Sequence, residues 1–280
     1  MSSERAAFVP RQLIDGPSDL SPTFVTLRAV PSVADTFGRA LRDWTEGASD
    51  PEIIERDDGV IELGAGPEAY LAAFDEWPPA EQLASAFLRG PILDVGCGGG
   101  RVALHLQRLG YDVVGVDYSR LAIQATRARG VHRARRASIE QLDAEVARSG
   151  SILLFGNNFG VFGTPANARR LLVEWARAAR PGTRLFLEST DPFSGGAPII
   201  DRAYCLENRR RGRPAGQVQM RIWYGGRSSE WIPWFFASRA ELRAIVRHTG
   251  WQLVTFLASG RRDPYVAVLE IPKLGAASGA

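Results

Sequence analysis

Apolar positions along this chain switch repeatedly between two periods, most regularly from Pro91 onward. Pro91-Ile92-Leu93 is a short unbroken apolar run, as expected of a strand buried on both faces. Val102, Leu106 and Leu109 then recur at helical spacing until Gly110. Asp112-Val113-Val114-Gly115-Val116-Asp117 is a second β run, and Ser119 is placed to cap the helix after it. A strand near Arg135 to Ile139 is weakly marked, whereas Ser151-Ile152-Leu153-Leu154-Phe155 is clearly a buried one. Thr164-Pro165 opens a helix with proline in its first turn; it runs to Ala179 and stops at Pro181-Gly182. Arg184-Leu185-Phe186-Leu187-Glu188 is a further strand. Strands alternating with helices in this way predict a parallel sheet covered on both faces.

The flanks follow other patterns. Residues 1 to about 30 carry several prolines and little periodicity, which predicts an irregular lead-in. Ser32 to Trp44 is helical in pattern. Asp57-Asp58-Gly59 followed by Val60 to Leu63 predicts a turn and a short strand. Pro67 or Glu68 to Leu88 reads as one or two helices broken at Pro78-Pro79. Near the other end, Ser238-Arg239-Ala240-Glu241 is a capping box. Trp251 to Leu257 and Tyr265 to Ile271, linked near Gly260, predict an antiparallel pair. The expected organisation is an N-terminal extension and helical cover over 1–88, a core over 89–190 and 237–272, an inserted lid over 191–236, and a disordered tail over 273–280.

Chemistry concentrates where the first core strand meets its helix. Asp94-Val95-Gly96-Cys97-Gly98-Gly99-Gly100-Arg101 is a glycine-rich turn that directs backbone N–H groups and a helix N-terminus at a ligand. The dinucleotide fingerprint G-x-G-x-x-G is not met, because Arg101 stands where its third glycine would be. Instead an acid lies two positions before G-x-G-x-G. About 20 residues on, the second strand ends in Asp117, suited to hydrogen-bonding two ribose hydroxyls. The pairing of LDVGCGGGR with VVGVDYS resembles class I S-adenosylmethionine-dependent methyltransferases, over roughly Pro91 to Ile271 with an interruption from Asp191 to Phe236. The resemblance implies a Rossmann-like, doubly wound α/β fold: a mostly parallel seven-stranded sheet with an antiparallel edge. It also implies S-adenosyl-L-methionine as cofactor.

On that resemblance Asp94, Gly96, Cys97, Gly98, Gly100, Asp117 and Tyr118 fall at cofactor-binding positions. Arg101 is either a cofactor contact or a surface helix residue. The family's acid after the third strand is replaced by Ser138, which with Ile139 could meet the adenine or simply cap a helix. Gly156 and Asn157 are read near the methionine end and Asn158 toward the acceptor; both asparagines also suit turn backbone. The run Gly156 to Gly160 does not match the N-P-P-Y type motif of amino-directed nucleic-acid methyltransferases. Tyr70 is either an aromatic closing over the cofactor or a core residue. Between Asp191 and Phe236, Tyr204, Trp223 and Tyr224 are candidate substrate contacts, because insertions after strands commonly carry recognition. Asp191, Glu188 and Tyr204 lie where a base could be needed, but no catalytic residue is singled out.

Composition narrows the class. No apolar tract is long enough to span a membrane and no basic-then-apolar signal opens the chain, so a cytoplasmic protein without membrane partners is expected. Two cysteines without metal-ligand spacing argue for a reduced compartment and against a metal site. The basic residues are arginines apart from Lys273, and the 191–236 segment holds seven arginines against four acids, a balance of +3. The leading reading is a small-molecule methyltransferase, with a homodimer left open. An RNA methyltransferase is a rival because of Arg127, Arg129, Arg133, Arg135 and Arg136 and the run Arg209 to Arg213. A non-catalytic cofactor-binding protein is another.

Overall fold

The computed structural model describes residues 35–195, 199–260 and 264–273. The irregular lead-in, the first residues of the Ser32 helix and the tail from 274 lie outside them. The chain begins with α1 (Thr36–Thr45), β1 (Ile53–Arg56), β2 (Ile61–Leu63), α2 (Gly66–Tyr70) and α3 (Pro79–Ser85). The central elements are β3 (Ile92–Val95), α4 (Arg101–Arg108), β4 (Val113–Asp117), α5 (Arg120–Ala128), β5 (Ala134–Arg136), α6 (Asp143–Val146), β6 (Ser151–Leu154), α7 (Pro165–Ala178) and β7 (Arg184–Ser189). There follow α8 (Arg202–Arg210), β8 (Gln217–Tyr224), β9 (Arg227–Ser228), β10 (Ile232–Phe235), α9 (Arg239–Val246), β11 (Gln252–Leu257) and β12 (Tyr265–Glu270).

Seven strands form one sheet in the order β11-β12-β7-β6-β3-β4-β5. The neighbours from β7 to β5 are parallel, whereas β12 runs antiparallel to both β7 and β11. The buried runs explain why. Leu93, Val95, Ile152, Leu154, Leu185 and Leu187 face one side, packed with Leu171, Trp175 and Leu242 of α7 and α9. Ile92, Val113, Leu153 and Phe186 face the other with Ala80, Val102 and Leu106 of α3 and α4. Strands sandwiched between two helical layers bury both faces, so apolar residues follow one another without alternation. Capping behaves as the pattern predicts: Ser119, Thr164 and Ser238 each accept an N–H in the first turn of their helix.

A second, antiparallel sheet runs β10-β8-β1-β2, with β9 paired to β8. Its register places Ile53 against Trp223 and Arg56 against Met220. The 191–236 segment is therefore not a unit of its own, and the N-terminal part is not purely helical: one sheet crosses that expected boundary. The physical reason is burial. Ile54 packs with Val218, Met220, Tyr204 and Phe236 in a small core of their own, which neither segment could close by itself. Among the described residues, no helix is long and apolar enough to cross a membrane.

Candidate active site at the carboxyl ends of β3, β4 and β6

The order of strands reverses between β3 and β6, so the loops leaving their carboxyl ends lie side by side at the edge where such sheets bind ligands. Gly96, Gly98 and Gly100 all hold left-handed backbone, with φ of 71°, 53° and 77°. Side chains disfavour this region, which accounts for the alternate glycines. The loop is fastened on every side. Gly96 N–H and Cys97 N–H donate to Val116 O, and Gly100 N–H to Cys97 O at 2.7 Å. The Thr126 hydroxyl donates to Gly98 O at 2.6 Å and the Arg129 guanidinium to Gly99 O at 2.7 Å. From the β6 side, Asn158 Nδ2 donates to Gly96 O at 2.9 Å and Val95 O at 3.2 Å.

Asp117 closes the β4 end of the site. Its carboxylate accepts Gly98 N–H at 3.0 Å and Ser119 N–H at 2.8 Å. Burial pushes it up to about 6, against the pull of those two donors. The N-terminal elements lie over this end. Asp35 caps α1 and also accepts Leu121 N–H at 3.0 Å, while Phe37 and Leu41 approach Gly98 and Leu71 approaches Gly99. Tyr70 stacks on Trp44 with ring centroids 6.0 Å apart and meets Phe37 edge-on at 5.2 Å.

Beneath the loop sits a buried charge cluster. Arg101 is not a surface residue. It forks Glu81 of α3 with two 2.6 Å bonds and lies 4.9 Å from the centre of the Trp77 ring. Glu81 and Glu188 both accept the N–H of Gly156. Burial and then the neighbouring Glu81 hold the Glu188 carboxyl well above the usual carboxylate range. Asp94 is 3% exposed, its Oδ2 has no partner, and burial pushes it up to about 7 against the favourable Arg101 charge. Three acids around one guanidinium cannot all ionise cheaply without water, so the cluster retains protons near neutrality.

The residues expected to meet substrate do not share one wall. Tyr224 is 4% exposed and packs edge-on against Trp44, 6.0 Å away, on the face of β8 toward α1. Trp223 points to the opposite face, where its N–H donates to Glu55 at 2.6 Å. Tyr204 donates to Asp57 at 2.6 Å and lies under Arg56, which is clamped between Asp58 and Asp201. A cavity of about 580 Å³ opens there, lined among others by Arg56, Tyr204 and Arg213. The asparagines also hold the backbone around the site, Asn157 in the left-handed conformation expected of a turn asparagine. Asn158 grips the glycine loop through its side-chain amide, and Asn157 accepts the Thr190 hydroxyl at 2.7 Å. Ser138 caps the short turn Ile139–Gln141, Ile139 packs on the main core, and Tyr118 lies under Arg136.

Residues 92–182 match the family described as "Methyltransferase domain". The chain is 22% identical to an S-adenosylmethionine-dependent methyltransferase of Bacteroides fragilis solved with S-adenosyl-L-homocysteine, with a TM-score of 0.71 over 87% of this chain and 97% of that one. It is 18% identical to the CcbJ methyltransferase of Streptomyces caelestis, with a TM-score of 0.55 over 85% and 98% of the two chains. Residues 92–182 are thus a methyltransferase domain, on a fold shared with these S-adenosylmethionine-dependent methyltransferases. The chain is also 30% identical over 128 residues to the ubiquinone biosynthesis O-methyltransferase of Hahella chejuensis, 43% of this chain and 52% of that protein. The chain thus spans about half the length of the curated relatives it matches.

The residues present in this methyltransferase domain fit that cofactor. A Cβ added at Gly98 would meet nothing nearer than Leu41 at 3.7 Å, leaving an open cradle. Asp117 has lone pairs beyond the two N–H groups it accepts, which suits ribose hydroxyls. The orphaned Oδ2 of Asp94 suits a cationic donor such as an amino group. Sequence reasoning missed Glu81, Thr126 and Arg129, which hold the loop and Arg101 from 20 to 30 positions away. Helix periodicity marks Thr126 and Arg129 only as members of α5. Nothing in the pattern distinguishes Glu81 from a solvated helix acid.

Proposed function

We propose that this chain transfers a methyl group from S-adenosylmethionine to a small-molecule acceptor. The observation that carries the reading is the coincidence of an open glycine loop, a partly free Asp117 and an unpartnered Asp94 oxygen at one switch point. The cofactor supplies a methyl group already activated on a sulfonium. The residues here bind and orient it, and they exclude water through the Trp44, Tyr70 and Leu71 cover. Alignment of that kind can remove several kcal/mol from a transfer barrier. The likeness to the Hahella protein, named for O-methylation in ubiquinone biosynthesis, supports an acceptor of small-molecule size.

Several of the arginines behind the RNA reading are engaged within the chain. Arg127 and Arg129 donate to backbone carbonyls, and Arg133 and Arg135 pair with Asp112 and Glu145. Arg136 holds Tyr118 O, and Arg211 pairs with Glu207. Arginines spent inside one chain have less to offer phosphates. Calorimetry tests the proposal: S-adenosylmethionine and S-adenosyl-L-homocysteine should bind, and NAD should not. An acceptor screen should release S-adenosyl-L-homocysteine with small molecules. Salt-sensitive binding of bulk tRNA, with no turnover of small molecules, would overturn it.

A further inference from the structure

Within the arginine run 209–213, Arg213 stands apart from the others. Arg209 lies 4.3 Å from the centre of the Phe193 ring, and Arg210 and Arg211 both pair with Glu207. Among the described residues the Arg213 guanidinium has neither an acid nor a hydrogen-bond acceptor. Its Nε is buried without a partner, whereas its two terminal nitrogens are not buried. The backbone fixes its position. Arg213 N–H donates to Asn208 O at 2.8 Å, and the fully buried Asn208 donates from Nδ2 to Ala215 O at 3.0 Å and Gln217 O at 2.8 Å. The turn from α8 into β8 is thus a firm mount for an unused cation.

Arg213 lines the cavity of about 580 Å³ together with Arg56, Asp57 and Tyr204. That volume is in the range of small-molecule sites, about 300–1,000 Å³. Most of the acids around it are already engaged: Asp58 and Asp201 hold Arg56, and Glu207 holds Arg210 and Arg211. Asp57 is different. Its Oδ1 accepts the Tyr204 hydroxyl at 2.6 Å, while its Oδ2 has no bond within the described chain and is not buried. Arg213 flanks the same hydroxyl: burial and then Asp57 hold Tyr204 above the usual phenol range, and Arg213 opposes them. Yet Arg213 and Asp57 do not pair with each other, so a gap lies between them in the cavity they share.

A cation and an acid that border one cavity without meeting are complementary to a ligand carrying both charges. A dianion such as phosphate would face Asp57, Asp58 and Asp201 as well as Arg213, and an uncharged ligand would leave both ions unused. We propose that this cavity binds a zwitterion of the α-amino acid class, its carboxylate on Arg213 and its ammonium on the free oxygen of Asp57. Arginine suits the carboxylate because its planar fork matches the two oxygens. The cavity is also separate from the cofactor end of the molecule. Tyr224, at one end of β8, packs on Trp44 of the cover, whereas Arg56 pairs in register with Met220, four residues and about 13 Å back along that strand. Occupancy of this second site does not require the cofactor.

Calorimetry on the full chain without cofactor tests the assignment. The probes are the common α-amino acids, the matching α-keto acids and amines, and inorganic phosphate. At least one amino acid should bind, and loss of either its ammonium or its carboxylate should weaken binding about tenfold or more. Arg213→Gln and Asp57→Asn should each do the same, with folding checked by thermal unfolding. Arg213→Lys, which keeps the charge without the fork, should lose less than Arg213→Gln, and it serves with Asp57→Asn if Arg213→Gln does not fold. Binding should persist in Asp117→Ala; its loss there would place the amino acid at the switch point and overturn the assignment. So would the absence of amino acid binding to wild type, tighter binding of phosphate or of a keto acid, or affinity unchanged in the folded Arg213 and Asp57 variants.

Discussion

The two sheets of this molecule meet at one site but are built on opposite terms. Around the glycine loop the backbone is fastened by nearby chain: β4 follows the loop within about twenty residues, and Gly96, Cys97 and Gly98 all bond to its last two residues. Its charges are dry, and Arg101, Glu81 and Glu188 are interdependent. The second, antiparallel sheet pairs residues more than 160 positions apart, such as Glu55 with Arg221, and Arg221 lies partly in water against Trp223 and Trp231. The first region tolerates little change because most of its polar groups are one another's partners. The second holds exposed positions that can change with small cost to the fold. That division suits a constant cofactor and a variable acceptor.

The sharpest way to break this comparison is at Arg101. Arg101→Met should cost about 3–5 kcal/mol of unfolding free energy, since it leaves buried carboxyls without their counter-charge. Denaturant titration measures this, and a loss below about 1 kcal/mol would mean the cluster is no more demanding than a surface pair. Within the lid, two adjacent aromatics should separate. Tyr224→Ala should cost about 3 kcal/mol because it empties a buried site against Trp44. Trp223→Ala, on the outer face, should cost about 1 kcal/mol or less and act mainly on acceptor KM. Equal stability losses would erase the distinction between the two faces of β8.

Smaller effects sharpen the picture. Asp117→Ala should weaken S-adenosylmethionine binding by about 1.5–3 kcal/mol, read by calorimetry, while the protein stays folded. Unchanged affinity would remove Asp117 from the ribose. The pH profile has a definite sign. Glu52 and Asp94, held near 7, and Asp117, near 6, keep their protons longer in the folded than in the unfolded chain. The folded state therefore binds more protons between about pH 4 and 7, and stability falls as pH rises through that window and levels off above it. Each group can contribute a slope of at most about 1.4 kcal/mol per pH unit. Thermal unfolding between pH 4 and 8 checks this; stability rising with pH across the window would show these acids ionised in the fold.

What the chain determines by itself is local. Periodicity placed β3, β4, β6, β7 and the hairpin β11–β12 within a residue or two, because strands buried on both faces must be apolar throughout. Ser119, Thr164 and Ser238 announced their helices, since a cap acts over three residues. The glycine loop and Asp117 were legible because their chemistry lies within one βαβ unit. Tertiary structure decided the rest. Periodicity predicts that Val60 to Leu63 and the strands after Asp191 are extended, but only pairing across the chain makes them one sheet. Asn157 and Asn158 look equivalent in sequence until their neighbours, Thr190 and Gly96, assign them different tasks. Nothing in the sequence pattern marks Glu52 or Glu81, and it leaves Arg101 as either a cofactor contact or a surface helix residue. Their burial comes from segments brought together by folding, and the cost of a charge depends on what surrounds it rather than on what precedes it in the chain.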